Sequence, residues 1–154
     1  MRVGKAIFMM RVDGNLEETD MSSSALPERP VSDQLTLKGV SVLIVEDSWH
    51  VAKGLKSLLE QIGMNVIGPT ATTSHAKQLL TEQQPRLALV DVNLKNETAS
   101  DLVEELLKQG VQVIVISGYA QPPVSFRKAA AFLQKPFNGK ELIAVMCAAV
   151  DRVQ

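Results

Sequence analysis

Cysteine, histidine and net charge are all scarce in this chain of 154 residues, and each scarcity removes a class of function. The single Cys147 cannot close a disulfide within the chain, which fits a reducing, cytoplasmic setting. It falls in the apolar stretch 142–150 and reads as a small core residue rather than a nucleophile. His50 and His75 show no metal-ligand spacing with each other or with Cys147, so surface positions are expected for both. Sixteen Lys and Arg against 17 Asp and Glu give a net charge of -1, too little to draw nucleic acid or an anionic membrane. No apolar run approaches the roughly 18 residues of a membrane span, so a soluble protein is expected. No repeat recurs at a fixed period, which excludes a solenoid.

What is present is apolar. A hydrophobic share of 45% supports one domain with a layered core, and the length is too short for two ordinary ones. At the start, Arg2 and Lys5 precede Ala6-Ile7-Phe8-Met9-Met10, a faint likeness to a signal peptide with too short an apolar core and no small-residue cleavage site. Residues 13–30 are polar, with Ser22-Ser23-Ser24 and two prolines. The reading is a disordered extension over 1–37 and a domain over 38–154. Met9, Met10 and Met21 are alternative translation starts.

From residue 38 onward, apolar runs alternate with amphipathic stretches, which argues for a parallel sheet covered by helices on both faces. Five such units fit. The first strand spans about 40–46, and the helix after it places Val51, Leu55, Leu58, Leu59 and Ile62 on one face before Gly63 ends it. A short second strand at 65–67 runs into Gly68-Pro69. The second helix starts near Thr73 or Ser74, buries Ala76, Leu79 and Leu80, and stops before Pro85. A third strand, 87–90, delivers Asp91, and the third helix, about 100–109, turns Leu102, Val103, Leu106 and Leu107 to the sheet. The fourth strand, 111–116, is nearly all β-branched, as a strand covered on both faces should be. Pro122-Pro123 interrupts the stretch 118–130, where only a short fourth helix is expected. The fifth strand is 131–134. Asn138 and Glu141 resemble a capping pair for a last helix that buries Leu142, Val145, Met146, Ala149 and Val150.

Four of these runs end in a reactive side chain: Glu46-Asp47, Asp91, Ser117 and Lys135. Parallel neighbours would bring them to the carboxyl edge of the sheet, where open α/β folds bind ligands. Two unit charges ~4 Å apart at an effective dielectric of ~20 repel by about 4 kcal/mol, so three carboxylates need cations. Lys135 supplies one charge, and Mg²⁺ held by Glu46, Asp47, Asp91 and the backbone carbonyl of Asn93 would supply the rest. Each residue also has a plainer explanation. Glu46-Asp47 could cap the first helix, Ser117 could satisfy a turn before Gly118, Phe132 could be ordinary core and Lys135 a solvated strand end.

In order, spacing and strand context, Glu46-Asp47, Asp91, Ser117 and Lys135-Pro136-Phe137 resemble the receiver domain of bacterial two-component response regulators, the CheY-like superfamily, over about 39–150. The resemblance implies a flavodoxin-like, doubly wound α/β fold with a five-stranded parallel sheet in the order 2-1-3-4-5 and a shortened fourth helix. It implies that Asp91 accepts a phosphoryl group from a histidine kinase and that Glu46 and Asp47 position Mg²⁺. Lys135 would pair with the phosphoryl group, Ser117 would move to hydrogen-bond it, and the Phe132 rotamer would report that movement. A cis Lys135-Pro136 peptide is implied as well. Such a domain is not a separate turnover enzyme, although it promotes its own phosphorylation and dephosphorylation.

Glu46 stands where aspartate is more usual, and the stretch after Asp91, from Asn93 to Thr98, lacks the usual proline and glycine. The segment from Ser117 to Lys135 is short. Together with Gly68-Pro69, Asp91-Val92-Asn93-Leu94 and Gly118-Tyr119, these traits resemble stand-alone receivers served by histidine kinases of the HWE type. A single-domain regulator is therefore expected, acting through an unknown downstream protein or a phosphorelay, with a homodimer left open. Two rivals remain: a docking module that is never phosphorylated, and an aspartyl phosphatase resembling the haloacid dehalogenases, which carry their Asp-x-Asp motif on the first strand.

Overall fold

Short β-branched runs separated by amphipathic stretches bury both faces of a sheet, and the chain follows that rule. The computed structural model describes residues 6–12, 15–20, 36–95, 97–121 and 123–152, with the backbone alone over 6–20. Along the chain lie β1 (Ala6–Val12), β2 (Asn15–Asp20), β3 (Ser41–Val45), α1 (Trp49–Gln61), β4 (Asn65–Thr70), α2 (Thr73–Glu82) and β5 (Leu87–Asp91). They are followed by α3 (Ser100–Lys108), β6 (Gln112–Ser117), β7 (Ala131–Gln134) and α4 (Gly139–Asp151). The sheet runs β2-β1-β7-β6-β5-β3-β4. Its parallel part, β4-β3-β5-β6-β7, is the expected five-stranded order 2-1-3-4-5.

The other two strands lie within 1–37, where disorder was expected, and replace that expectation over 6–12 and 15–20 alone. β1 pairs antiparallel with β7, Ile7 opposite Phe132, and β2 returns along β1 with Val12 opposite Asn15. Without them β7 would be an edge with unpaired backbone groups, which attracts another strand. Two residues, Asp13 and Gly14, separate the paired Val12 and Asn15, and Asp-Gly is a strong two-residue hairpin signal. That signal outweighs the polar composition that suggested a loose tail. The rest of 1–37 below Thr36 lies outside the described residues.

The pleat sorts each parallel strand onto two cores. Val42, Ile44, Leu89, Ile114 and Leu133 pack with Leu55 and Leu59 of α1 and with Leu142 and Val145 of α4. Leu43, Val45, Val90, Val115 and Phe132 pack with Ala76, Leu80, Leu102 and Leu106 of α2 and α3. Fully burying each such leucine, isoleucine or valine is worth about 1.5–3 kcal/mol. Cys147 lies in the first core, as its apolar setting suggested.

Two helix faces differ from the expectation. α1 buries Ala52, Leu55 and Leu59, whereas Val51 is exposed. Val51 keeps the four-residue spacing to Leu55 but lies in the first turn, where Trp49 and His50 are exposed as well. In α2, Leu79 packs only partly against the core. The expected short fourth helix is reduced to one 3₁₀ turn, Val124–Phe126, entered through Pro123. At the start of α4 the Asn138 side chain accepts the Glu141 N–H at 2.9 Å, the anticipated cap.

Gly68 has φ 87°, and a Cβ there would lie 3.0 Å from the Thr70 nitrogen and 3.2 Å from the Ile44 carbonyl oxygen. Only glycine fits this close approach, which lets the Thr70 carbonyl accept the Glu46 N–H at 2.9 Å. The peptide bonds preceding Pro69 and Pro136 are both cis, the second as anticipated.

Candidate functional site

Parallel pairing in register places the ends of β3, β5, β6 and β7 side by side. Glu46 leaves β3 and is 3% exposed; Asp91 ends β5 and is 2% exposed. One carboxylate oxygen of Glu46, Oε1, accepts the Ser48 N–H at 3.0 Å, and Oε2 accepts Lys135 Nζ at 3.1 Å. Asp91 Oδ1 accepts the Asn93 N–H at 2.8 Å, and Oδ2 accepts Lys135 Nζ at 2.8 Å. Lys135 is positioned through its own backbone, whose N–H donates to the Ser117 carbonyl at 2.7 Å. Half-buried Asp47 accepts the Lys95 N–H at 3.0 Å, drawing the segment after Asp91 across the site.

The electrostatics follow from burial. Loss of solvent pushes the Glu46 carboxyl above its ordinary value, and the Asp91 charge adds to this; the Ser48 N–H and the Lys135 ammonium offset part of it. Burial pulls the Lys135 ammonium down, yet its hydrogen bonds to Asp91 and Glu46 outweigh that and leave it raised. It is therefore cationic at any ordinary pH. Carboxylate oxygens of Glu46, Asp47 and Asp91 all lie within 4.8 Å of one another, so one ammonium faces three acids. Hard oxygen donors, surplus negative charge and an open side at Asp47 suit Mg²⁺, which takes one or two carboxylates and keeps several waters.

Ser117 is fully buried, and its Oγ accepts the Tyr119 N–H at 3.0 Å, the turn contact that was one of its two readings. Phe132 is 1% exposed and belongs to the second core, so its ring points inward. Glu46 also does what the capping explanation required, since it binds the Ser48 N–H at the entry of α1. His50 and His75 lie on the surface as expected, although the His75 ring reaches the Thr70 hydroxyl at 3.0 Å.

Sequence reasoning missed two groups near the site. One is the Lys95 N–H, a backbone donor that no residue pattern marks. The other is Glu97, whose carboxylate binds the N–H and hydroxyl of Thr73 at 3.0 and 2.6 Å. These partners are 24 residues apart in the chain, beyond any local signal.

Fold and site together define a class: a doubly wound α/β domain whose strand ends gather a buried aspartate, two further acids and a lysine. The model of the response regulator receiver domain matches residues 42–146, and the chain belongs to that family. It is 36% identical over 114 residues to the phyllosphere-induced regulator PhyR of Methylorubrum extorquens, covering 71% of this chain and 43% of that protein. It is 27% identical over 116 residues to the transcriptional regulatory protein PdtaR of Mycobacterium tuberculosis, covering 72% of this chain and 57% of the relative. The chain thus spans about half the length of these curated relatives. Among solved structures, a CheY-like receiver domain from Methanospirillum hungatei superposes with a TM-score of 0.68 at 26% identity, over 75% of this chain and 96% of that one. PhyR from Brucella abortus, at 24% identity and a TM-score of 0.66 over 79% and 52% of the two chains, shares the fold. No helix among the described residues is long and apolar enough to cross a membrane.

Proposed function

We propose that this receiver domain accepts a phosphoryl group on Asp91 from the phosphohistidine of a histidine kinase and signals through protein contacts or by relaying the group. The observation that carries this reading is the 2.8 Å contact between the buried Asp91 carboxylate and Lys135 Nζ inside a cluster of three acids. A nucleophile held beside a fixed cation is what in-line phosphoryl transfer needs, because positioning and charge stabilisation supply most of the catalysis.

In the transfer an Asp91 carboxylate oxygen forms the O–P bond as the P–N bond breaks, and its electron pair returns to the imidazole ring. The Asn93 N–H on Oδ1 fixes the carboxylate rotamer during attack. Lys135 stands within reach of the transferring oxygens, and Ser117 turns its hydroxyl from the Tyr119 N–H toward the attached group. Glu46, Asp47, Asp91 and the Asn93 carbonyl would hold Mg²⁺, which when bound supplies further neutralisation of phosphoryl charge. Phe132, packed inward, is the side chain whose rotamer would follow Ser117.

The domain promotes its own phosphorylation and hydrolysis and is not a turnover enzyme. A kinase of the HWE type is favoured by Gly68-Pro69 and the sequence 91–94, and the chain's single cysteine supports a cytoplasmic setting. A homodimer is compatible with this reading, and sedimentation of the phosphorylated protein decides it. The function is tested by incubation with acetyl phosphate and Mg²⁺. An acid-stable, base-labile adduct that Asp91→Asn abolishes is expected; no adduct, even with a competent kinase, favours a docking module. Steady phosphate release from many substrates favours the phosphatase.

A further inference from the structure

The segment after Asp91 carries the Asn93 carbonyl toward the proposed metal, yet it lacks the proline and glycine that would restrict its backbone. Its order comes from contacts at alternate residues. The Asn93 N–H binds Asp91 Oδ1 at 2.8 Å, and the Lys95 N–H binds Asp47 Oδ2 at 3.0 Å. Glu97 then spans to α2, Oε1 accepting the Thr73 N–H at 3.0 Å and Oε2 the Thr73 hydroxyl at 2.6 Å. The first two contacts use the carboxylates that would bind the cation and the phosphoryl group. Glu97 alone of the three acids stands outside that chemistry.

α2 has an N-cap of its own besides Glu97. The Thr72 side chain already accepts the His75 N–H at 3.2 Å, and Thr72 has the extended backbone of an N-cap. The two-point contact therefore serves both sides, satisfying the Thr73 N–H at the start of α2 and tying the segment after Asp91 to it. The shorter of the two is charge-assisted, a class about twice as strong as neutral hydrogen bonds. Leu94 and Ala99, both buried, share the task, so removing Glu97 loosens the segment without releasing it.

We infer that Glu97 is a positioning residue: its clasp on Thr73 holds the backbone of Asn93 and Lys95 in place for metal binding beside Asp91. This rests on the proposed Mg²⁺ site and adds a part that lies away from the acids themselves. Outer partners of this kind change metal affinity by about 10–100-fold when lost, and the buried flanks place the expected effect near the lower end.

The test uses the whole chain without a phosphoryl donor. Trp49, the one tryptophan, is 66% exposed and two residues from Asp47, and its fluorescence is the signal followed as Mg²⁺ is added. Glu97→Ala and Thr73→Val should each weaken Mg²⁺ binding about tenfold, while Thr73→Ser, which keeps the hydroxyl, restores it. Amide exchange on the metal-free protein provides a separate readout. The Asn93 and Lys95 amides should exchange faster in Glu97→Ala while those of β5 and β6 stay unchanged.

Affinity within twofold of the parent together with unchanged exchange at Asn93 and Lys95 overturns the inference. So does a uniform rise in exchange across the sheet, which would mark Glu97 as a contributor to general stability. If the parent chain itself shows no Mg²⁺ response, the metal site fails, and the exchange comparison alone decides the clasp.

Discussion

Two segments leave adjacent strands at the same edge of the sheet, and they are held very differently. The one after Asp91 is fixed by backbone bonds to Asp91 and Asp47 and by Glu97 on Thr73, with Leu94 and Ala99 buried beneath it. The one after Ser117 leaves Tyr119 64% and Val124 73% exposed, has one 3₁₀ turn among its described residues, and reaches the core through Phe126, Ala129 and Ala130. The difference separates two tasks. Phosphoryl transfer needs a nucleophile and charges in fixed places, whereas passing on a signal needs a region whose populations a small local change can shift. On the function proposed above, the first task would fall to the side of Asp91 and the second to the segment 118–130.

The largest effect comes from breaking the acceptor side at its cation. Lys135→Ala leaves buried Glu46 and Asp91 facing each other unpaired, and losing one partner of a buried pair costs about 3–5 kcal/mol. Lys135 keeps 30% of its side chain in solvent, so about 2–3 kcal/mol is expected in urea melts. Phosphoryl incorporation should slow about 100-fold in the same variant.

Phe126→Ala strikes the other segment at its apolar anchor. Full truncation of a core phenylalanine costs about 3–5 kcal/mol, and a segment free to collapse lowers this to about 2 kcal/mol. Proteolysis within 118–130 should accelerate while Mg²⁺ affinity stays unchanged, and a fall in affinity would erase the distinction between the two sides.

Glu46→Gln sharpens the comparison on the acceptor side through pH. The Glu46 carboxyl is raised from 4.5 in the fold, so its stabilising contribution is present below 4.5 and lost as pH rises through the folded value. Metal-free protein should therefore gain stability on mild acidification, a dependence that Glu46→Gln reduces and Mg²⁺ removes. At neutral pH the variant should be more stable than the parent in the same melts. Tyr119→Ala, at an exposed position, should change stability by less than about 0.5 kcal/mol in thermal melts.

The parallel sheet was legible because its signals are local and repeat: β-branched runs, glycine after each of α1 and α3, and acids or lysine at strand ends. Glu46, Asp47, Asp91, Ser117 and Lys135 converge because strand-end position is fixed by register. The pairing of β1 with β2 was hidden by the polar composition after it, although the sequence Asp13-Gly14 between them is a hairpin signal. Val51 shares the stripe of Leu55 and Leu59 but sits in the first turn of α1 beside exposed Trp49, and spacing alone does not mark where a helix leaves the core. The Glu97 clasp and the Lys95 contact join distant parts of the chain, so no window along the sequence contains them.

The division between a fixed acceptor side and a responsive far side is tested most directly by amide hydrogen exchange of the whole chain with Mg²⁺, with and without beryllofluoride as a phosphoryl mimic. The account predicts added protection over 118–130, with Asn93, Lys95 and Glu97 unchanged from the Mg²⁺-bound baseline. Protection gained only after Asp91, with none over 118–130, would contradict it.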